Sequence, residues 1–204
     1  AQEYFGIQAD LVTYGKTLGG GYPVGVVCGK HKWMKRWKEN RPADICFARG
    51  TFNAHPVVMS AMKAFLDEIE KPEIQTLYEG LDERWNQRCE KFNHTMREFD
   101  FPIQATNMSS VWTISYTQPG RYHGLLQFYL RAEGLALSWV GTGRLIFSLN
   151  YGETEFQAVL DRFVAAAKKM SGDGWWWQNP QLTHRNIRLQ ILRETLGWPE
   201  KTSD

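Results

Sequence analysis

The run Leu11-Val12-Thr13-Tyr14-Gly15-Lys16-Thr17-Leu18-Gly19-Gly20-Gly21-Tyr22-Pro23-Val24-Gly25 constrains the chain more than any other feature. An apolar, strand-like lead-in delivers one lysine into a glycine-rich turn. Missing side chains let the backbone approach a bound molecule there and leave room around the amine. This is a setting in which a Schiff-base lysine is expected. A Walker-type phosphate loop does not fit, because its glycines precede the lysine at a fixed spacing and Gly15-Lys16-Thr17 lacks the earlier glycine.

A second element follows 35 residues after Lys16, in Arg49-Gly50-Thr51-Phe52-Asn53-Ala54-His55-Pro56. Gly50 would permit an unusual backbone angle, Thr51 offers a hydroxyl and an N–H to an anion, and Pro56 suits the first turn of a helix. The pattern fits a phosphate site at a helix start, and equally an ordinary capped helix.

With Tyr4-Phe5-Gly6-Ile7-Gln8-Ala9-Asp10 before it, the lysine run resembles the pyridoxal-phosphate lysine segment of class III aminotransferases, most closely the glutamate-1-semialdehyde aminomutase branch. Ala9 stands where that family has proline. The second element is similar to the family's Gly-Thr-x-x-x-Asn-Pro motif, with His55 in the place of its asparagine. The resemblance is strongest over residues 4–70. It implies an α/β chain, the C-terminal part of a fold-type I transferase dependent on pyridoxal 5'-phosphate: the end of the large α/β domain plus an α+β small domain. It further implies that Lys16 holds the cofactor, that Gly50 and Thr51 reach the cofactor phosphate of a neighbouring subunit in a homodimer, and that the substrates are small amines and keto compounds. No metal is implied.

In the family the lysine lies past the middle of a protein roughly twice this size. A missing N-terminal half of the same protein would therefore carry the glycine-rich phosphate loop, the aromatic that stacks on the cofactor ring and the aspartate that pairs with the ring nitrogen. Half an active site is inactive alone. Gly141-Thr142-Gly143-Arg144-Leu145-Ile146-Phe147 is similar to the small-domain segment in which several members place an arginine for the substrate carboxylate. A guanidinium grips a carboxylate through two parallel hydrogen bonds, so Arg144 is the candidate. The prolines that follow that arginine in the family are absent, and an outward-facing arginine at a strand start is the alternative.

Composition is that of a soluble globular protein, with 43% hydrophobic and 23% charged residues. A net charge of +2 gives no strong field, so neither nucleic acid nor an anionic membrane is expected as a partner. No apolar stretch approaches the ~20 residues of a bilayer span, and no signal peptide opens the chain, so a cytoplasmic location is expected. Cys28, Cys46 and Cys89 are widely spaced, form no metal or redox pair, and read as buried thiols.

Spacing predicts a helix over 53–69 and a second over 73–99, the latter with Leu77, Leu81, Trp85, Cys89, Phe92, Met96 and Phe99 on one side. Strands are predicted over 111–116 and 145–149, with a helix over 123–132 between them. Thr154-Glu155-Phe156-Gln157 reads as a capping box opening another helix. The expected division is 1–55 for the end of the large domain, 56–170 for an interdomain helix and small domain, and 171–204 for a helical extension. In that extension Trp175, Trp176 and Trp177 either anchor an interface or fold back, and Arg185, Arg188 and Arg193 face either solvent or an acidic partner. Amino-group transfer between an amine donor and a carbonyl acceptor is the first functional reading. An intramolecular aminomutase is the second, and a non-catalytic interaction domain of a larger assembly the third.

Overall fold

A computed structural model describes residues 2–34, 37–45, 50–137, 143–176, 179 and 182–198. It divides into two compact units, residues 1–76 and 77–204.

The first unit begins with a short helix, α1 (Gln2–Phe5), and a two-stranded antiparallel ladder of β1 (Leu11–Gly15) and β2 (Gly25–Gly29). Thr13 faces Val27 and Gly15 faces Gly25, so the glycine-rich turn is the loop that closes this ladder. After α2 (His31–Met34), β3 (Trp37–Lys38) and β4 (Arg41–Ile45) form a second antiparallel pair. The helices α3 (Pro56–Ile69) and α4 (Pro72–Gln75) each carry proline at the start, where its missing N–H costs nothing. Gly19 is the one buried residue among those described in this unit, while Tyr4, Trp33 and Phe52 are 58%, 55% and 78% exposed. The unit therefore presents apolar surface without closing a core of its own.

The second unit does close one. It contains α5 (Leu81–Glu98), β5 (Ile103–Met108), β6 (Val111–Tyr116), α6 (Leu126–Ala132), β7 (Arg144–Ile146), α7 (Glu153–Gly172) and α8 (His184–Thr195). The strands form an antiparallel sheet in the order β5-β6-β7. Trp85, Phe92 and Met96 of α5, Trp112 of β6, and Phe156, Phe163 and Met170 of α7 are almost wholly buried. Their rings interlock: Trp85 stacks on Phe147 at 4.5 Å between centroids, and Phe92 meets Phe163 edge-on at 5.0 Å. Each such side chain contributes about 1.5–3 kcal/mol by leaving water, and edge-on pairs add to that.

Asn93 on α5 secures the edge of this sheet. Its amide donates to the Ala105 carbonyl at 2.9 Å and accepts from the Ala105 N–H at 2.7 Å, so one side chain satisfies both backbone groups of a buried β5 residue. Buried Arg88 lies over the Trp85 ring and donates to the Tyr151 carbonyl at 3.0 Å.

Several expected boundaries move. The helix predicted over 73–99 is interrupted: α4 ends at Gln75, a 3-10 turn occupies Thr76–Tyr78, and Gly80 takes a left-handed φ of 61° before α5 begins. The first helix starts at Pro56 because residues 51–54 form a turn. His123–Leu125 is a 3-10 turn ahead of α6, and β7 spans Arg144–Ile146 only. The cap of α7 is Gly152, not Thr154: the Glu155 carboxylate accepts from the Gly152 N–H at 2.8 Å. Cys89 is buried as expected, but Cys28 on β2 is exposed; Cys46 lies outside the described residues.

Candidate active site

Lys16 opens a 3-10 turn, Lys16–Gly19, directly after β1. Gly15 before it is fully extended, and Lys16 itself adopts φ 57°, a left-handed conformation that a residue with a Cβ rarely takes. Such a backbone costs about 1–3 kcal/mol and persists only where the surroundings over-determine it. The surroundings are visible. The Gly20 N–H donates to the Thr17 carbonyl at 2.9 Å and the Tyr22 N–H to the Gly19 carbonyl at 3.0 Å. Gly20, at φ 58°, lies so close to α3 that a Cβ would stand 3.2 Å from the Ala61 carbonyl oxygen. β1, β2 and α3 thus fix the turn, and the lysine side chain is presented on its exposed surface.

Thr51 sits in a turn closed by the Asn53 N–H donating to the Gly50 carbonyl at 3.1 Å. The unusual angle expected at Gly50 belongs instead to Ala54, at φ 55°. Gly50 supplies room: a Cβ there would lie 2.9 Å from Asn53 Oδ1. His55 precedes α3 without a side-chain cap, and its carbonyl accepts from the Met59 N–H at 2.9 Å. A cavity of about 650 Å³ is lined by Tyr22–Gly25, by the Gly50–His55 turn and by Val58 and Met59 of α3. The structure therefore brings Thr51 beside the end of the glycine-rich loop, while Lys16 is not part of that cavity wall. Tyr22 and Phe52 line it as well and were not singled out by sequence; an aromatic between Gly21 and Pro23 was the available signal.

Arg144 opens β7 and is exposed. Gly143 before it takes φ 68°, accepts from the Ile114 N–H at 2.7 Å, and would place a Cβ 2.4 Å from the Ile114 carbonyl oxygen. Only glycine fits there, so the arginine enters the strand from one fixed direction. Gly141 and Thr142 lie outside the described residues. Arg144 is one of the residues lining a small cleft of about 40 Å³, with Ile114, Tyr116, Gly124 and Leu126 among the others. Burial pushes the Tyr116 hydroxyl up to about 12, and it donates to the His123 carbonyl at 3.0 Å. His123 is pushed down to about 4, first by burial and then by the nearby charge of His184, so the ring is neutral at ordinary pH.

Among the described residues no cluster of His, Cys, Asp and Glu could hold a metal ion, and no helix is long and apolar enough to cross a membrane.

A lysine on a strained glycine-rich turn after a strand, a threonine turn ahead of a proline-started helix, and a separate antiparallel α+β unit together define the C-terminal part of a fold-type I transferase. Residues 1–163 match the family model for class-III aminotransferases, and the chain belongs to that family. Among curated relatives it is 27% identical over 183 residues to a glutamate-1-semialdehyde 2,1-aminomutase of Nitratidesulfovibrio vulgaris, covering 84% of this chain and 41% of that protein. It is 49% identical over 71 residues to the same-named protein of Ignicoccus hospitalis, covering 35% of this chain and 16% of the relative. A solved omega-transaminase from Sphaerobacter thermophilus matches with a TM-score of 0.69 at 26% identity, covering 84% of this chain and 41% of that one. The chain thus spans well under half the length of these relatives.

Proposed function

We propose that the protein carrying this chain transfers an amino group between an amine or amino acid donor and a carbonyl acceptor, with pyridoxal phosphate held covalently at Lys16 Nζ. The observation that carries this reading is the backbone of Lys16, forced to φ 57° in the lysine segment that the family match covers. The residues present suit the cofactor: a primary amine on an exposed turn surrounded by glycines, and a threonine hydroxyl in a turn at a helix start.

When bound, the cofactor supplies an electron sink for negative charge on the substrate carbon. This chain supplies position and proton transfer. Once displaced by the substrate amine, Lys16 Nζ is free to accept the proton from the amine-bearing carbon of the substrate and would deliver it to the cofactor carbon at which the lysine itself was held. Gly50 and Thr51 hold phosphate for the neighbouring subunit, a role supported by the Thr51 cavity excluding Lys16 of the same chain. The active unit is then a homodimer. Arg144 grips a substrate carboxylate. In this reading residues 1–55 end the large cofactor-binding domain, 56–170 form the interdomain helix and small domain, and 171–204 form an extension; the remaining cofactor contacts come from sequence that precedes this segment in the relatives. The site of action is the cytoplasm.

An intramolecular aminomutase is the second reading, favoured by the names of the curated relatives. Turnover of an amine donor that requires an added keto acid supports intermolecular transfer. Turnover of a single amino aldehyde without added keto acid supports the aminomutase, and failure of both in the cofactor-loaded protein would overturn the assignment.

A further inference from the structure

We propose that the outward face of α8 is a short coiled-coil seam that docks a helix of another protein, one with an apolar stripe flanked on both sides by glutamate or aspartate. α8 lies past the residues that match the family, so this surface is additional to amino-group transfer and does not depend on it.

The second unit holds α8 in place before any partner arrives. Ile187 is buried, and Glu194, two turns further on, forms a two-pronged ion pair with Arg121, one contact at 2.6 Å. The Thr183 hydroxyl caps the start by accepting from the Asn186 N–H at 3.1 Å. At the other end Gly197 takes φ 66° and the Trp198 N–H donates to the Arg193 carbonyl at 2.9 Å, a turn that satisfies the last carbonyls. A helix already formed and capped loses little freedom on binding.

The face turned away from Ile187 repeats at steps of three and four. Leu189, Leu192 and Leu196 stand roughly 200°, 140° and 180° round the axis from it, and all three are exposed. In heptad terms they are a, d and a, with Arg188 at g and Arg193 at e, while Arg185 occupies the preceding d. Such a stripe has the width of a helix–helix seam, narrower than the face with which an interfacial helix enters lipid. Glu194 is the sole acid of α8 and is engaged by Arg121, and among the described residues none of the three arginines meets an acid. The flanks of the seam are therefore purely positive. A second copy laid on this face in either direction would set arginine against arginine, because e and g positions meet across a coiled coil. Carboxylates at those positions match instead, and a guanidinium grips them in two-pronged fashion. Trp198, 60% exposed and fixed by the closing turn, continues the apolar surface beyond the seam with a side chain that often anchors interfaces.

The test uses the cofactor-loaded full-length protein and a fluorescein-labelled synthetic peptide of three heptads with leucine at a and d and glutamate at e and g. Its lysine counterpart and a scrambled glutamate peptide are the controls. Anisotropy should show saturable binding of the glutamate peptide alone, weakening as salt is raised. Leu192→Asp should weaken that binding by about tenfold or more. Arg188→Glu combined with Arg193→Glu should abolish it and admit the lysine peptide, a gain that misfolding cannot produce. Absence of binding, equal binding of the scrambled peptide, or a charge reversal that fails to admit the lysine peptide overturns the proposal. Co-sedimentation with phosphatidylserine vesicles, or self-association in the ultracentrifuge, overturns it as well if Leu192→Asp removes that association while the glutamate peptide does not bind: the face then belongs to lipid or to a second copy.

Discussion

Lys16 at φ 57° is a strained residue, and in the proposed reading that strain serves to present its amine. Gly20 against the Ala61 carbonyl is what makes the conformation affordable, since a side chain there would push α3 away from the turn. Thr51 contributes differently, as one hydroxyl in an exposed turn. Thr51→Ala should weaken cofactor binding by about 1–3 kcal/mol, the scale of a hydrogen bond to a charged group, measured by titrating pyridoxal phosphate into the cofactor-free protein; unchanged affinity would remove Thr51 from the phosphate site. Arg144→Lys keeps the charge but loses the fork. It should lower kcat/KM for carboxylate-bearing substrates while leaving cofactor affinity intact, and steady-state kinetics with an acidic and an uncharged donor separate the two outcomes.

At the scale of elements, what was legible in the sequence follows the strength of the side-chain pattern. Trp85, Phe92 and Met96 at helical spacing announce α5, and Val111 to Tyr116 alternates as β6 does. β5 was missed because its inward positions include Ala105 and Asn107, too small or polar to signal alternation, and its stability comes partly from Asn93 on a distant helix. The break before α5 was missed because Leu77 and Leu81 keep the helical step across it, while the left-handed angle of Gly80 is a backbone fact. Likewise Lys16 and Thr51 could be read from motif, but neither the φ of Lys16 nor the burial of His123, its ring stacked on Tyr116 at 4.1 Å and 5.6 Å from that of Trp176, leaves a mark in composition. That burial has a pH consequence. His123 has a folded value near 4 against an ordinary 6.5, so the unfolded chain binds a proton that the folded one refuses between those limits. Stability is therefore full above about pH 6.5 and falls as pH drops toward 4, by at most about 3 kcal/mol from this group. Urea unfolding across that window should show the loss in wild type and a flatter profile in His123→Phe.

For the molecule as a whole the division of labour is uneven. Residues 77–204 hold the aromatic core, whereas residues 1–76 carry Lys16 and Thr51 and have one buried residue among those described. Exposed aromatics such as Tyr4, Trp33 and Phe52 mark surface suited to contact with other protein. The claim on which everything else depends is the bond at Lys16. Borohydride reduction of the cofactor-loaded protein, followed by proteolysis and mass spectrometry, locates it directly. The visible absorbance should vanish on reduction and the pyridoxyl label should be recovered on Lys16; recovery on another lysine, such as Lys30 or Lys32, would contradict a cofactor held at the glycine-rich turn.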